Sequence, residues 1–223
     1  MTELKTRLIE AAEQHVAFDG WSDVTFDAAV ADTGVDAAVA RAIFPRGAVD
    51  LAVASHRLGD VRMTAALQAA DLSDMRFRDK VGFAVKLRLQ QCGDKEVVRR
   101  GTTLFALPQH AATGSGLIWG TADAIWRALG DTSEDINWYS KRATLSAVYT
   151  ATVLFWLGDD SAAHENTWAF LDRRIDNVMQ FEKAKAAFKG SALGKALAGP
   201  LEALGRIKAP KPMTGYPGQW RGD

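Results

Sequence analysis

The chain has 223 residues, 48% of them apolar and 24% charged, with 27 Lys and Arg balancing 27 Asp and Glu. That composition excludes a disordered chain, and the single cysteine, Cys92, excludes an internal disulfide or a multi-cysteine metal site. The neutral total hides a polarity: residues 1–60 carry five basic against ten acidic side chains, and residues 182–223 carry eight basic against three acidic.

No run reaches the ~18 apolar residues of a spanning helix. The stretch from Met1 to Arg7 lacks the pattern of a secretory or transit segment. The expectation is therefore a cytoplasmic, bacterial protein.

Helical periodicity recurs along the chain and no strand alternation is persuasive. Leu4, Leu8, Ala12 and His15 mark one face of a first helix that ends near Asp19-Gly20. Phe26, Ala29, Val30 and Thr33 mark a short second helix, stopped by Gly34. Asp36 caps a third helix that reaches Ile43-Phe44 before Pro45 ends it. Further helices are expected at about 47–70, 74–92, 95–107, 112–129, 135–157 and 162–188.

From Gly190 the composition shifts toward glycine, with Pro200 among four of them. Leu193, Leu197, Leu201 and Leu204 share one helical face, opposite Lys195, Glu202 and Arg206. Glycine costs about 1 kcal/mol and an interior proline about 3 kcal/mol in a helix. Residues 190–208 are therefore expected to order on a membrane or against a second chain. Ala209 onward reads as irregular.

The order helix, Gly20-Trp21, short helix, Gly34-Val35, third helix, Phe44-Pro45 and long helix resembles the DNA-binding domain of TetR-family regulators. A recognition helix needs donors for base edges and cations for phosphates. Asp36 to Ile43 offers one arginine, one aspartate and otherwise short apolar side chains. The net −5 of residues 1–60 also opposes a phosphate backbone. The helix-turn-helix is read as a packing scaffold, and nucleic acid is not an expected partner.

Sites for chemistry are scarce. His15, His56, His110 and His164 show no metal-ligand spacing. Gly114 to Gly120 follows no strand and misses the dinucleotide fingerprint, so it is read as a helix start or a close approach of backbones. Asp131, Glu134 and Asp135 fit a helix start, where anions offset the dipole. No catalytic residue, metal or cofactor is nominated.

The aromatic rows are more informative. Trp119 and Trp126 stand seven apart. Trp138, Arg142, Leu145, Tyr149, Val153 and Trp156 form a second stripe, and Trp168, Leu171, Ile175 and Val178 a third. Ordinary core is one reading; the frame of an elongated apolar cavity is the other. Periodicity leaves both open. The uncharged run from Ala143 to Leu157 is too short to span a bilayer and needs cover on every side.

Four stretches together carry a resemblance: Leu104 to His110 (LFALPQH), Trp119 to Trp126 (WGTADAIW), Gly130 to Arg142 (GDTSEDINWYSKR) and Thr167 to Arg174 (TWAFLDRR). In them the chain resembles the ninth accessory protein of coenzyme Q (ubiquinone) biosynthesis, the Coq-nine family. The likeness runs over most of residues 1–182 and is strongest from 101 to 182. It implies an all-α, TetR-like helical bundle. Residues 1–46 would form the helix-turn-helix-like unit, 47–188 a lipid-binding and dimerisation domain, and 189–223 an amphipathic helix and tail.

The resemblance further implies a non-catalytic protein that holds isoprenoid quinone intermediates and presents them to a demethoxyubiquinone hydroxylase. Such a protein would be a homodimer, peripheral to the inner face of a membrane. The lipid would lie among Trp119, Ile125, Trp126, Leu145, Tyr149, Val153 and Trp156. The partner would meet Leu107, Pro108, Asp135, Trp138, Tyr139 and Arg142, the last three as an exposed surface. Leu193, Lys195, Leu197, Leu201 and Leu204 would touch the membrane. The competing reading is a TetR-like transcriptional regulator with an effector in the same cavity.

Overall fold

The computed structural model describes residues 3–190 and 208–210, with side chains up to residue 180 and at 208–210. The expected membrane-touching residues Leu193 to Leu204 lie outside the described residues. Among those described there are nine α-helices, one 3-10 turn and no strand. They are α1 (Glu3–Asp19), α2 (Asp23–Thr33), α3 (Ala37–Ile43), α4 (Ala48–Ala69), α5 (Phe77–Gln90), α6 (Lys95–Ala106), α7 (Ala111–Ala128), α8 (Ile136–Leu157) and α9 (Glu165–Gly190), with the 3-10 turn at Ala162–His164. None of the described helices is long and apolar enough to cross a membrane.

Local chemistry sets the boundaries. Ser22 accepts from Thr25 N at the start of α2, and Gly34 ends it in the left-handed region at φ 64°. Asp36, Asp94 and Asp135 cap α3, α6 and α8 by accepting backbone N–H groups two or three residues on. Two helices start later than periodicity predicts. Asp71 accepts from the backbone and hydroxyl of Ser73, a turn that delays α5 to Phe77. Ala163 and His164 sit at φ 49° and 59°, which breaks the chain before α9.

The bundle has two apolar cores that divide along α4. Leu51, Ala52 and Leu58 join Leu8, Ile9, Val16, Phe26 and Phe44 in the amino-terminal core. Met63 and Leu67 join Val85, Ile125, Leu145, Trp156 and Ile175 in the other. α7 packs on α4 and α8, while α9 packs on α5 and α8. In the helix-turn-helix unit, the one arginine of α3, Arg41, stacks its guanidinium 4.2 Å from the Phe26 ring and pairs with Asp23 at 3.4 Å. It turns back onto its own domain.

α8 is fixed at its start by a buried ionic knot. Arg142 is 1% exposed, not the surface residue expected from its place beside Trp138 and Tyr139. Its Nε donates to Asp123 at 2.6 Å and its Nη1 to Asp131 at 3.0 Å, and its guanidinium lies 4.1 Å from the Trp138 ring. Two carboxylates from α7 and the following loop draw it inward, and Lys141 adds a 2.7 Å contact to Asp131. Burial alone would raise the Asp131 carboxyl, but hydrogen bonds from Lys141, Ser133 and Arg142 hold it down, to about 2.

Removing one partner of a buried pair leaves an uncompensated charge. Arg142→Ala is therefore expected to cost about 3–5 kcal/mol in urea denaturation. Because the folded Asp131 value lies below the unfolded one near ~3.9, its contribution is complete above that pH and is lost as pH falls toward 2. The wild-type chain should show this acid loss and Arg142→Ala should show less of it.

Candidate functional site

A cavity of about 350 Å³ lies between α4, α6, α7 and α8, with α1 and the end of α5 also contributing to its lining. Its two walls differ in chemistry. α6, α7 and α8 supply mostly apolar side chains, Val97, Phe105, Leu117, Ile118, Val153 and Leu154, with Thr102, Ser115, Tyr149 and Thr150 among them. By contrast, α1, α4 and the end of α5 supply Glu13, Ser55, His56, Arg62, Arg88 and, just past α5, Gln91. Close packing shapes the apolar wall: a Cβ on Gly114 would fall 2.7 Å from that of Phe105, so only glycine lets α7 approach α6 there. Trp21 closes the same side, its Nε1 donating to the Val97 carbonyl at 3.3 Å.

The polar wall is built around Arg88, which is 2% exposed. Its Nε donates to Asp60 at 2.6 Å, its Nη1 to Cys92 Sγ at 2.9 Å and its Nη2 to the His56 carbonyl at 2.9 Å. Gly59 makes room for it, since a Cβ there would fall 2.7 Å from Nη1. Thr121 of α7 donates its hydroxyl proton to Asp60 at 2.8 Å. That proton is single, so His56 Nε2, 2.9 Å from the same hydroxyl, must be the protonated ring nitrogen, which leaves Nδ1 an acceptor.

Titration behaviour follows from burial. His56 is pushed down to about 4, by burial first and by the Arg88 charge second, and so is neutral at pH 7. Burial pushes the Tyr149 hydroxyl and the Cys92 thiol up, so both stay protonated. Burial also raises the Glu13 carboxyl, against the hydrogen bond it accepts from Ser55 at 2.6 Å.

Of the residues expected to hold lipid, Tyr149 and Val153 line this cavity. Ile125, Trp126, Leu145 and Trp156 are core side chains instead. Trp126 donates Nε1 to the Lys141 carbonyl at 3.1 Å and stacks on Phe77. Trp156 lies under the Lys95 ammonium at 5.3 Å. Trp119 is half-buried and meets Trp138, ring centroids 5.9 Å apart.

Among the expected partner residues, Trp138 and Tyr139 are half-buried and pack edge-on at 4.8 Å. Asp135 is the exposed cap of α8. Leu107 and Pro108 are exposed in the α6–α7 connection, next to the cavity-lining Ala106. The chain returns to the start of α8 at 208–210: Ala209 N donates to the Glu134 carbonyl at 2.8 Å and the Tyr139 hydroxyl to that of Lys208 at 3.3 Å.

Sequence reasoning missed His56, Asp60, Arg88 and Thr121. The available signals were the four-residue spacings His56–Asp60 and Arg88–Cys92, each on one helix face. A buried neutral histidine must be charged on unfolding in acid. The folded value of about 4 lies below the unfolded ~6.5, so stability is unaffected above that pH and declines as pH falls from ~6.5 toward 4. Wild type should lose roughly 2 kcal/mol between pH 7 and 5 from this group. His56→Gln should flatten that slope in pH-dependent urea melts; an unchanged slope would contradict the assignment.

Comparison with known proteins places these features. The COQ9 family model matches residues 111–182, which hold α7, α8 and most of α9. The probable ubiquinone biosynthesis protein coq9, mitochondrial, of Dictyostelium discoideum is 31% identical over 192 residues, covering 82% of this chain and 62% of that protein. Human ubiquinone biosynthesis protein COQ9, mitochondrial, is 26% identical over 210 residues, covering 88% of this chain and 65% of its own length. The chain thus spans less than two thirds of these relatives. In structure it resembles a TetR transcriptional regulator from Nitrosomonas europaea, with a TM-score of 0.65 over 78% of this chain and 97% of that one, at 19% identity. Residues 111–182 are thus a COQ9-family segment, carried on a TetR-like helical fold.

Proposed function

We propose that this chain is a lipid-binding accessory protein of ubiquinone biosynthesis, which holds an isoprenoid quinone intermediate and presents it to a demethoxyubiquinone hydroxylase without catalysing the step. The observation that carries this reading is the cavity of about 350 Å³, mostly apolar on the side of α6, α7 and α8 and more polar on the other. Names of the relatives supply the pathway. The pairing of Arg41 weighs against the regulator reading, because the one cation of α3, though exposed, is already stacked on Phe26 and paired with Asp23. Trp138 and Tyr139, with the exposed Leu107 and Pro108, are the proposed partner surface, and Arg142 acts beneath it by holding Trp138 in place.

The outer face of α8 points to a second copy. Leu154 and Phe155 are exposed, and Phe155 stacks on Phe170 of α9 at 4.5 Å, an apolar strip on two long neighbouring helices. We assign it to a homodimer.

Two variants separate the parts. Val153→Trp fills the cavity and should abolish recovery of isoprenoid quinones by mass spectrometry of protein purified without detergent, while hydroxylase binding persists. Trp138→Ala should do the reverse, keeping lipid and weakening the hydroxylase roughly tenfold or more. A wild-type protein that carries no such lipid would sink the carrier reading. For the dimer, Phe155→Glu should halve the mass seen by light scattering at micromolar concentration; a wild type already of single-chain mass refutes it.

A further inference from the structure

Lys208 to Pro210 lie against the start of α8, where the Lys208–Ala209 peptide unit is held on both sides. Its N–H donates to the Glu134 carbonyl at 2.8 Å, and its C=O accepts from the Tyr139 hydroxyl at 3.3 Å. Ala209 is half-buried, between the exposed Lys208 and Pro210. A residue before proline is biased to an extended backbone, which leaves both sides of the unit open to partners. The grip is preorganised. Asp135 caps α8 at Asn137 N, Tyr139 packs edge-on against Trp138 at 4.8 Å, and the Arg142 guanidinium lies 4.1 Å from the Trp138 ring. Glu134 and Asp135 are exposed and opposite in charge to Lys208.

We propose that the edge between Glu134 and Tyr139 is a docking slot for one extended peptide unit, and that Lys208 to Pro210 of the same chain fill it as an internal competitor of the partner. This rests on the partner surface proposed above and deepens it in two ways. The partner has to present an exposed loop or strand segment, whose N–H meets the Glu134 carbonyl and whose C=O meets the Tyr139 hydroxyl. It also has to displace the resident segment first.

Tethering decides whether so small a contact matters. Two hydrogen bonds on a half-exposed edge would hold a free tripeptide only weakly. Within one chain the segment is present at an effective concentration on the order of millimolar. Bonds too weak to recruit it from solution can therefore keep it in the slot. A competitor then binds with its affinity reduced by the fraction of time the slot stands open. A slot open roughly one-tenth of the time weakens the partner about tenfold.

The test uses the full chain and two point variants. Ala209→Pro keeps an extended backbone and removes the donated N–H, and Tyr139→Phe keeps the ring and removes the hydroxyl. By NMR hydrogen exchange, the wild-type Ala209 amide should exchange about tenfold slower than in a free peptide of residues 205–213, at a rate independent of protein concentration. Tyr139→Phe should reduce that protection. Ala209→Pro should bind the hydroxylase about tenfold tighter than wild type in surface plasmon resonance. An Ala209 amide that exchanges as fast as in the peptide overturns the internal occupant. So does protection that grows with protein concentration, which would come from a second copy. Equal hydroxylase affinity in wild type and Ala209→Pro overturns the competition while the partner surface stands. If neither binds the hydroxylase, the partner surface falls and the competition with it.

Discussion

Asp60 is the point on which the cavity depends. It accepts from Arg88 of α5 and from Thr121 of α7 while sitting on α4, so three helices converge on one carboxylate. Removing two charges from water costs several kcal/mol per ion, and their attraction offsets this only with good geometry and further hydrogen bonds. Here the further bonds come from the His56 carbonyl, Cys92 and the His56 ring through Thr121. An apolar triple of similar volume would hold the helices as well. It would also make that side of the cavity apolar, where the ionic arrangement keeps polar groups instead.

The second ionic knot, at Arg142, does different work at the far end of α8. Arg142 and Tyr149 are seven residues apart on the same helix, about 10 Å along its axis. One end is pinned to Asp123 and Asp131, and the other forms part of the cavity. A rigid helix therefore links the Trp138–Tyr139 surface to the cavity wall. That surface is also where residues 208–210 return, hydrogen-bonded to Glu134 and Tyr139. A hydroxylase seated on Trp138 and Tyr139 would have to accommodate or displace that contact.

Helix positions were legible because their causes are local: caps at Ser22, Asp36 and Asp94, the glycine stop at Gly34, and regular apolar rows. The late starts of α5 and α9 were not, because they depend on an aspartate turn and on two left-handed residues that periodicity does not register. The aromatic stripe of α8 was found as a row but could not be divided into core and wall. Leu145 and Trp156 pack into the core beside Tyr149 and Val153, which reach the cavity, and all four share one period. Arg142 was misplaced for a related reason. Its burial is decided by two carboxylates from elsewhere in the chain, Asp123 and Asp131, and a helical row names no partners. The polar wall went unseen because His56, Arg88 and Thr121 belong to three helices and meet only in the fold.

Size adds a constraint. A cavity of about 350 Å³ sits near the lower end of the ~300–1,000 Å³ typical of small-molecule sites, enough for a ring and a short length of chain. A long isoprenoid exceeds that volume, so part of it would have to leave the cavity. Several lining residues are exposed and form an edge where it could do so, namely Thr102 and Ala106 of α6, Ser115 of α7 and Leu154 of α8. An apolar chain emerging at that edge cannot remain in water. It has to be met by a membrane, by the hydroxylase, or by a second copy on the Leu154–Phe155 strip. Under the carrier reading, the cavity would hold part of the ligand and leave the rest to another surface, a division of labour that a presenting protein needs and a sealed storage protein would avoid.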